Sequence, residues 1–273
     1  MEYLKVILYG IIEGITEWLP ISSTGHLILA EKLLALPYSE EFMSMFRVVI
    51  QLGAILAVVV LYFPRLWPFT TDPRHKYQRP AVWQLWFKIL VATLPAMVLG
   101  LLLDDWLDAH LYNYITVAAM LILYGVFFIL IENRHRRPTV RRMDQLTWRH
   151  ALIIGCWQVL AMIPGTSRSG ATIVGGLLLG LARPVAAEFT FFLAIPVMAG
   201  ASGLKLVKFL ADGGTFTGGE VAALALGCAV AFVVSVAAIR FLVSFVQKHN
   251  FKIFGWYRIA LGAVVLAAAF LGF

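Results

Sequence analysis

Seven residues, Pro20-Ile21-Ser22-Ser23-Thr24-Gly25-His26, interrupt an otherwise apolar N-terminal region, and their reading decides the fold. Before them runs the apolar segment 3–19. After them the segment 25–36 offers only about a dozen residues, roughly 18 Å of helix at 1.5 Å per residue. A hydrocarbon core is roughly 30 Å thick, so this helix is too short to cross. The pair therefore reads as a helix–loop–helix hairpin that dips into a membrane and returns to the same side. The same construction recurs at Pro164-Gly165-Thr166-Ser167-Arg168-Ser169-Gly170, between the segments 148–163 and 170–182.

Working outward, each hairpin is followed by three longer apolar runs: 46–63, 82–103 and 114–131 after the first, 186–207, 220–243 and 253–273 after the second. Pro20 and Pro164 lie 144 residues apart, as do Ser23 and Ser167. Three crossings is an odd number, so the second half enters from the opposite side. The pattern predicts an all-α polytopic membrane protein built as an inverted-topology repeat, with six transmembrane helices plus two re-entrant hairpins. It is a single domain over 1–273: repeat 1 about 1–131, a basic loop 132–147, and repeat 2 about 148–273.

Composition agrees. Of 273 residues, 61% are apolar and 14% charged, against about 45–50% and 25% in soluble domains; the mean hydropathy is +0.85. At ~20 residues per crossing the apolar residues would fill roughly eight helices, close to six spans and four half-length pieces. Disordered, collagenous and disulfide-stapled classes are excluded. Cys156 and Cys228 read as small buried hydrophobes, and the acids Glu2, Glu13 and Glu17 do not suit a signal peptide. The net charge of +7 sits mainly in three loops (Arg65, Arg74, Lys76, Arg79; Arg134, Arg136, Arg137, Arg141, Arg142, Arg149; Arg240, Lys248, Lys252). The opposite face has Lys5, Lys32, Arg47, Lys205 and Lys208, with an acidic loop at 104–113 carrying Asp104, Asp105 and Asp108. The positive-inside rule makes the basic face cytoplasmic and places both termini outside. Topology therefore accounts for the basic charge, and nucleic acid is not a partner.

Ionisable residues in membrane segments are functional candidates. Glu13 and Glu17, four apart, share one helix face beside the first break. They repel unless a cation or a proton intervenes. Ser22, Ser23 or Thr24 can cap the helix that follows, and Gly25 permits close backbone approach. In the second loop Gly165, Thr166, Ser167, Ser169 and Gly170 offer N–H and hydroxyl donors at a helix start, and Arg168 adds a guanidinium fork. These are the parts of an anion site. Pooled with His26, they suit phosphoryl transfer. Three residues apart, Ser23 and His26 can approach each other, with His26 activating Ser23 or attacking phosphorus itself. Glu13 and Glu17 could hold a divalent cation or shuttle a proton. Gln51 is balanced between substrate contact and helix packing, Glu188 is paired with Arg183, and Trp67, Trp83, Trp86 and Trp106 form an interfacial belt.

At these residues the chain resembles the bacterial undecaprenyl-pyrophosphate phosphatases of the bacitracin-resistance type. The stretches 13–26 and 164–172 look like that family's two signatures, and Val48-Val49-Ile50-Gln51-Leu52-Gly53 also matches. The resemblance covers essentially the whole chain. It implies an inner-membrane hydrolase that removes the terminal phosphate of the C55 lipid pyrophosphate and so recycles the cell-wall lipid carrier. The active site would face the periplasm, and the activity would depend on Mg2+ or Ca2+. By matching position its catalytic residues would be Glu13, Glu17, Ser23, His26 and Arg168. The rival reading is an inverted-repeat transporter or flippase for an anionic lipid or solute, with Glu13 and Glu17 as a coupling-ion site. The sequence leaves the nucleophile and the oligomeric state open, homo-oligomer included.

Overall fold

The computed structural model describes residues 1–70, 79–134 and 137–271, leaving aside the side chains of Lys32, Leu33, Asp104, Asp105 and Asp108. Arg74, Lys76 and Arg136 of the basic loops, and the side chains of Lys32 and the three aspartates, thus lie outside the described residues. Eleven α-helices follow in order: α1 Glu2–Thr16, α2 Ser23–Leu33, α3 Glu40–Val49, α4 Gln51–Leu66, α5 Pro80–Leu111, α6 Tyr114–Asn133, α7 Trp148–Val159, α8 Arg168–Leu178, α9 Arg183–Ala211, α10 Gly218–Lys248 and α11 Lys252–Phe270. No extended strand occurs among these residues; Val140 and Leu181 form an isolated bridge.

Among the described residues, six helical stretches are long and apolar enough to cross a membrane: Glu40–Leu66, Pro80–Leu103, Tyr114–Asn133, Arg183–Ala211, Gly218–Lys248 and Lys252–Phe270. Their outward faces carry side chains such as Leu101, Leu102, Val207 and Val233, each more than 60% exposed. Rows of this kind are incompatible with water and suit acyl chains. The first span begins earlier than its hydropathy suggests. Ser39 caps α3 by accepting the Phe42 N–H, and α3 meets α4 at Ile50. The acidic stretch after 103 is not a loop, because α5 continues to Leu111 and leaves Tyr112 and Asn113 as the connection. Arg240, too, lies within a helix, two turns before the end of α10.

Hydrogen bonds tie the helix ends together. Lys5 donates to the Ala35 carbonyl and Tyr38 to Glu2, so α1 starts where α2 finishes. At the far end of the 40–66 span, Arg65 pairs with Glu188. Arg183 holds Glu132 through two bonds of 2.8 and 2.6 Å, and Glu132 also accepts the Phe251 N–H at 3.0 Å. The predicted Arg183–Glu188 pair is therefore absent: on α9 both side chains turn to other helices. At this same end Ala182 N–H reaches Val140 and Lys88 reaches the Leu146 carbonyl, so α7 starts where α8 finishes. In the exposed loop between α6 and α7, hydrogen bonding to Arg142 holds the Asp144 carboxyl below its ordinary range.

The packing partners interlock. α1 lies on α10 and α7 on α5, α4 packs on α10 and α5 on α9, and α6 pairs with α11. Cys156 is exposed rather than buried, because α7 turns that face away from α5. α6 and α11 meet at Gly125 and Gly255. A Cβ on either would stand 2.7 Å from the other's carbonyl oxygen, closer than carbon tolerates. Gly255→Val is expected to cost about 1–3 kcal/mol, as overpacking does. It should appear as a lower Tm in detergent; an unchanged Tm would mean these helices do not pack this way.

Candidate active site

The two loops between the short helices meet in the interior. In the first, Ser22 takes φ +74° and its Oγ accepts the Gly25 N–H at 3.3 Å. In the second, Ser167 takes φ +70° and its Oγ accepts the Gly170 N–H at 3.2 Å. These are the only non-glycine residues with positive φ among those described. Such a conformation costs a β-carbon-bearing residue about 1–2 kcal/mol and recurs at functional sites. The caps are thus Ser22 and Ser167, 145 residues apart, so the second loop matches the first one residue later than the Ser23–Ser167 spacing suggested. At the same offset Gly10 matches Gly155, Gly25 matches Gly170, and Glu13 matches Gln158.

Arg168, the first residue of α8, reaches across to the other loop. Its Nη2 and Nε donate to Glu17 Oε1 at 3.0 and 3.3 Å, its Nη1 to the Thr190 carbonyl at 3.0 Å, and its guanidinium lies 5.7 Å from the Trp18 ring centroid. Arginine has five N–H donors; three are used here, and two remain for another acceptor. The other oxygen of Glu17 accepts the Ser23 hydroxyl at 3.2 Å. Ser169 Oγ donates to the Glu17 and Leu19 carbonyls at 3.1 and 3.3 Å and lies 3.1 Å from Ser167 Oγ. The tips of the two hairpins are stitched directly together.

Other expected residues are placed differently. His26 does not contact Ser23. Its Nδ1 lies 2.7 Å from the Ser22 carbonyl and its Nε2 2.7 Å from the Tyr257 hydroxyl, with the two rings stacked. A carbonyl only accepts, so Nδ1 carries the proton and Nε2 receives the tyrosine O–H. One helical turn from Ser22, the imidazole is captured by that carbonyl before it can reach the Ser23 hydroxyl. Thr24 and Gly25 complete the first turn of α2, Gly165 takes φ +92°, and Gln51 is half-buried at the start of α4. Sequence reading missed Arg258, which is fully buried, as well as Tyr257 and Gln158. A charge inside the 253–270 apolar run was a signal that the rule for intramembrane ionisable residues would have caught.

Among the described residues, the buried side-chain polar atoms without a hydrogen-bond partner belong to Glu13, Trp18, Tyr124, Gln158 and Thr166. Four of these five residues lie on the two hairpins. Buried polar groups left unsatisfied are costly and mark candidate functional positions. Glu13, fully buried, has both carboxylate oxygens free of hydrogen bonds, next along the helix from Glu17. This suits a hard cation, for which carboxylate oxygens are the preferred donors. No group of three or more His, Cys, Asp and Glu side chains is placed to hold a metal ion among the described residues, so substrate or water oxygens would have to complete such a shell. Two helix N-termini, an arginine with spare donors, a carboxylate-bonded serine and an unpartnered acid can together bind a phosphate and move a proton.

The family model for "Bacitracin resistance protein BacA" matches residues 6–264. A protein of Desulfitobacterium hafniense named undecaprenyl-diphosphatase is 58% identical, over 97% of this chain and 95% of its own. Proteins of the same name from Enterococcus faecalis and Limosilactobacillus fermentum are 56% and 53% identical, over 96% and 98% of this chain and 95% and 97% of theirs. With six apolar spans and a match along nearly its whole length, the chain belongs to the bacitracin resistance protein BacA family and is a multi-pass membrane protein.

Proposed function

We propose that this chain is an undecaprenyl-diphosphate phosphatase, hydrolysing the C55 isoprenyl pyrophosphate to the monophosphate and inorganic phosphate. The observation that carries the reading is the joining of Ser23, Glu17 and Arg168 from two hairpins into one hydrogen-bonded unit. Arg168 and the N-termini of α2 and α8 bind the terminal phosphate. Ser23 Oγ attacks its phosphorus in line, the bond to the bridging oxygen breaks, and the lipid monophosphate leaves. Glu17, already accepting the Ser23 hydroxyl, takes the proton. Water then hydrolyses the phosphoserine. Glu13, with Glu17, would hold a divalent cation, Mg2+ or Ca2+, which when bound would neutralise pyrophosphate charge. Because both its nitrogens are engaged elsewhere, His26 shapes the α2 entrance rather than activating Ser23.

The architecture we infer is an inverted repeat with two re-entrant hairpins. It is supported by the 145-residue offset of the two strained serine caps and by the exchange of partners, α1 on α10 against α7 on α5. The basic ends of α4, α6 and α10 face the cytoplasm by the positive-inside rule, both termini lie outside, and the site opens to the periplasm of a bacterial inner membrane. The lipid pyrophosphate and the bilayer are the partners this requires.

Purified protein in detergent, supplied with a polyprenyl pyrophosphate and Mg2+ or Ca2+, is expected to release inorganic phosphate. A transporter or flippase with this architecture has no second compartment in detergent and would release none. Absence of phosphate release from folded protein would overturn the enzyme reading.

A further inference from the structure

Among the described residues, the most deeply buried cation lies outside the catalytic inventory. Arg258, on α11, is fully buried, and its hydrogen-bond partners are all main-chain carbonyl oxygens. Nη1 donates to Pro20 at 3.2 Å; Nη2 donates to Gly165 at 2.9 Å, to Thr166 at 2.8 Å and to Met120 at 3.4 Å; Nε donates to Leu121 at 3.4 Å. The guanidinium lies 5.6 Å from the Tyr124 ring centroid. Gly170 admits it against the first turn of α8, where a Cβ would stand 3.1 Å from Nη1.

Two of these acceptors matter most. Pro20 and Gly165 occupy equivalent places in the two loops, two residues before the strained caps Ser22 and Ser167. One side chain therefore holds the carbonyl edge of both loops. Carbonyl oxygens gathered at one point repel each other and would also repel a phosphate. A guanidinium satisfies them together and holds them at one point. A trans peptide points its C=O and N–H in opposite directions. Fixing the Thr166 carbonyl on Arg258 thus turns the Ser167 N–H away from it, as an anion-binding loop requires. Ser169 ties the same tips through a second set of bonds, to the Glu17 and Leu19 carbonyls.

We propose that Arg258 is a positioning residue for phosphoryl transfer. By clamping the Pro20, Gly165 and Thr166 carbonyls with one guanidinium, it sets the first hairpin tip, with Ser23 and Glu17, against the second, with Arg168. The inference rests on the reading of these loops as the phosphate site. Misplacement of reacting groups by about 1 Å costs on the order of 100-fold in rate. Lysine at 258 keeps the charge but cannot span both loops, so the expected loss is in kcat rather than in substrate binding.

The test uses full-length Arg258→Lys and Arg258→Gln in detergent, with Ser23→Ala and Arg168→Gln assayed in parallel. Phosphate release from a polyprenyl pyrophosphate gives kcat and KM, and thermal unfolding gives Tm. The expected result for Arg258→Lys is a Tm close to that of the parent, kcat about 100-fold lower and KM within about threefold. Combining it with Ser169→Ala should give a loss that is not the product of the two single losses, because both residues hold the same junction. A kcat for Arg258→Lys within threefold of the parent would overturn the assignment. So would failure of Arg258→Lys to fold, which would make the side chain a structural clamp. If Ser23→Ala and Arg168→Gln retain full turnover, the reading of the loops fails instead.

Discussion

Arg168→Gln is expected to lower kcat/KM for polyprenyl pyrophosphate by about 100- to 1,000-fold, the range seen when one preorganised donor to a transition-state oxyanion is removed. Two effects act together. The phosphate loses the guanidinium donors that Glu17 and Thr190 leave free. Glu17 in turn loses its partner at 3.0 Å, in surroundings where the two side chains are only 10% and 8% exposed. Breaking a buried ion pair by removing one member strands the other charge, at a cost of about 3–5 kcal/mol. Some of the loss should therefore appear as a lower Tm as well as a lower rate. Arg168→Lys keeps the charge but not the fork, so it should recover only part of the activity, because a point charge cannot hold Glu17 and phosphate together. The check is initial-rate phosphate release with Tm measured on the same preparations. Turnover by Arg168→Gln within threefold of the parent would remove Arg168 from the phosphate site.

Ser23→Ala should be at least as severe, with a loss of about 1,000-fold or more if its oxygen forms the covalent intermediate. The hydrogen bond from Ser23 to Glu17 makes a second, sharper expectation. Residues that act as one unit are strongly non-additive, so Ser23→Ala/Glu17→Gln should be little worse than the poorer single variant. Acid-quenched enzyme analysed by peptide mass spectrometry should carry phosphate on Ser23. Direct attack by water predicts otherwise: Ser23→Ala would lose less than about tenfold, and no residue would be phosphorylated. Phosphate trapped on His26 would overturn the pairing of Ser23 with Glu17 as the reactive unit.

Much of the candidate site was legible because polar residues are conspicuous in an apolar chain. Glu13, Glu17, Ser23 and Arg168 stand out against their neighbours, and the Ser-Gly caps announce two helix starts. What spacing could not show was choice among competing partners. Ser23 and His26, three residues apart, looked like a pair. Yet the Ser22 carbonyl and the Tyr257 hydroxyl take both imidazole nitrogens, and Glu17, six residues before Ser23, takes the hydroxyl. Glu188 and Arg183 failed as a pair for a related reason, since each finds a nearer partner on another helix. Arg258 was overlooked because a single charge in the last apolar run carries no motif around it.

The seven residues from Pro20 to His26 were enough to establish a half-length helix pair, and with the second break they established the order of elements. Helix length against membrane thickness and the placing of polar residues are local properties, readable along one dimension. The register of the two loops, with caps at Ser22 and Ser167, needed the structure, because a one-residue shift leaves the composition unchanged and alters which backbone takes positive φ. The meeting of Glu17 with Arg168, 151 residues on, needed it too. So did the gathering of two loops' carbonyls on Arg258 from α11. Those contacts depend on how α1, α8 and α11 pack in three dimensions, and hydrogen-bond geometry then selects one partner among several that sequence spacing allows.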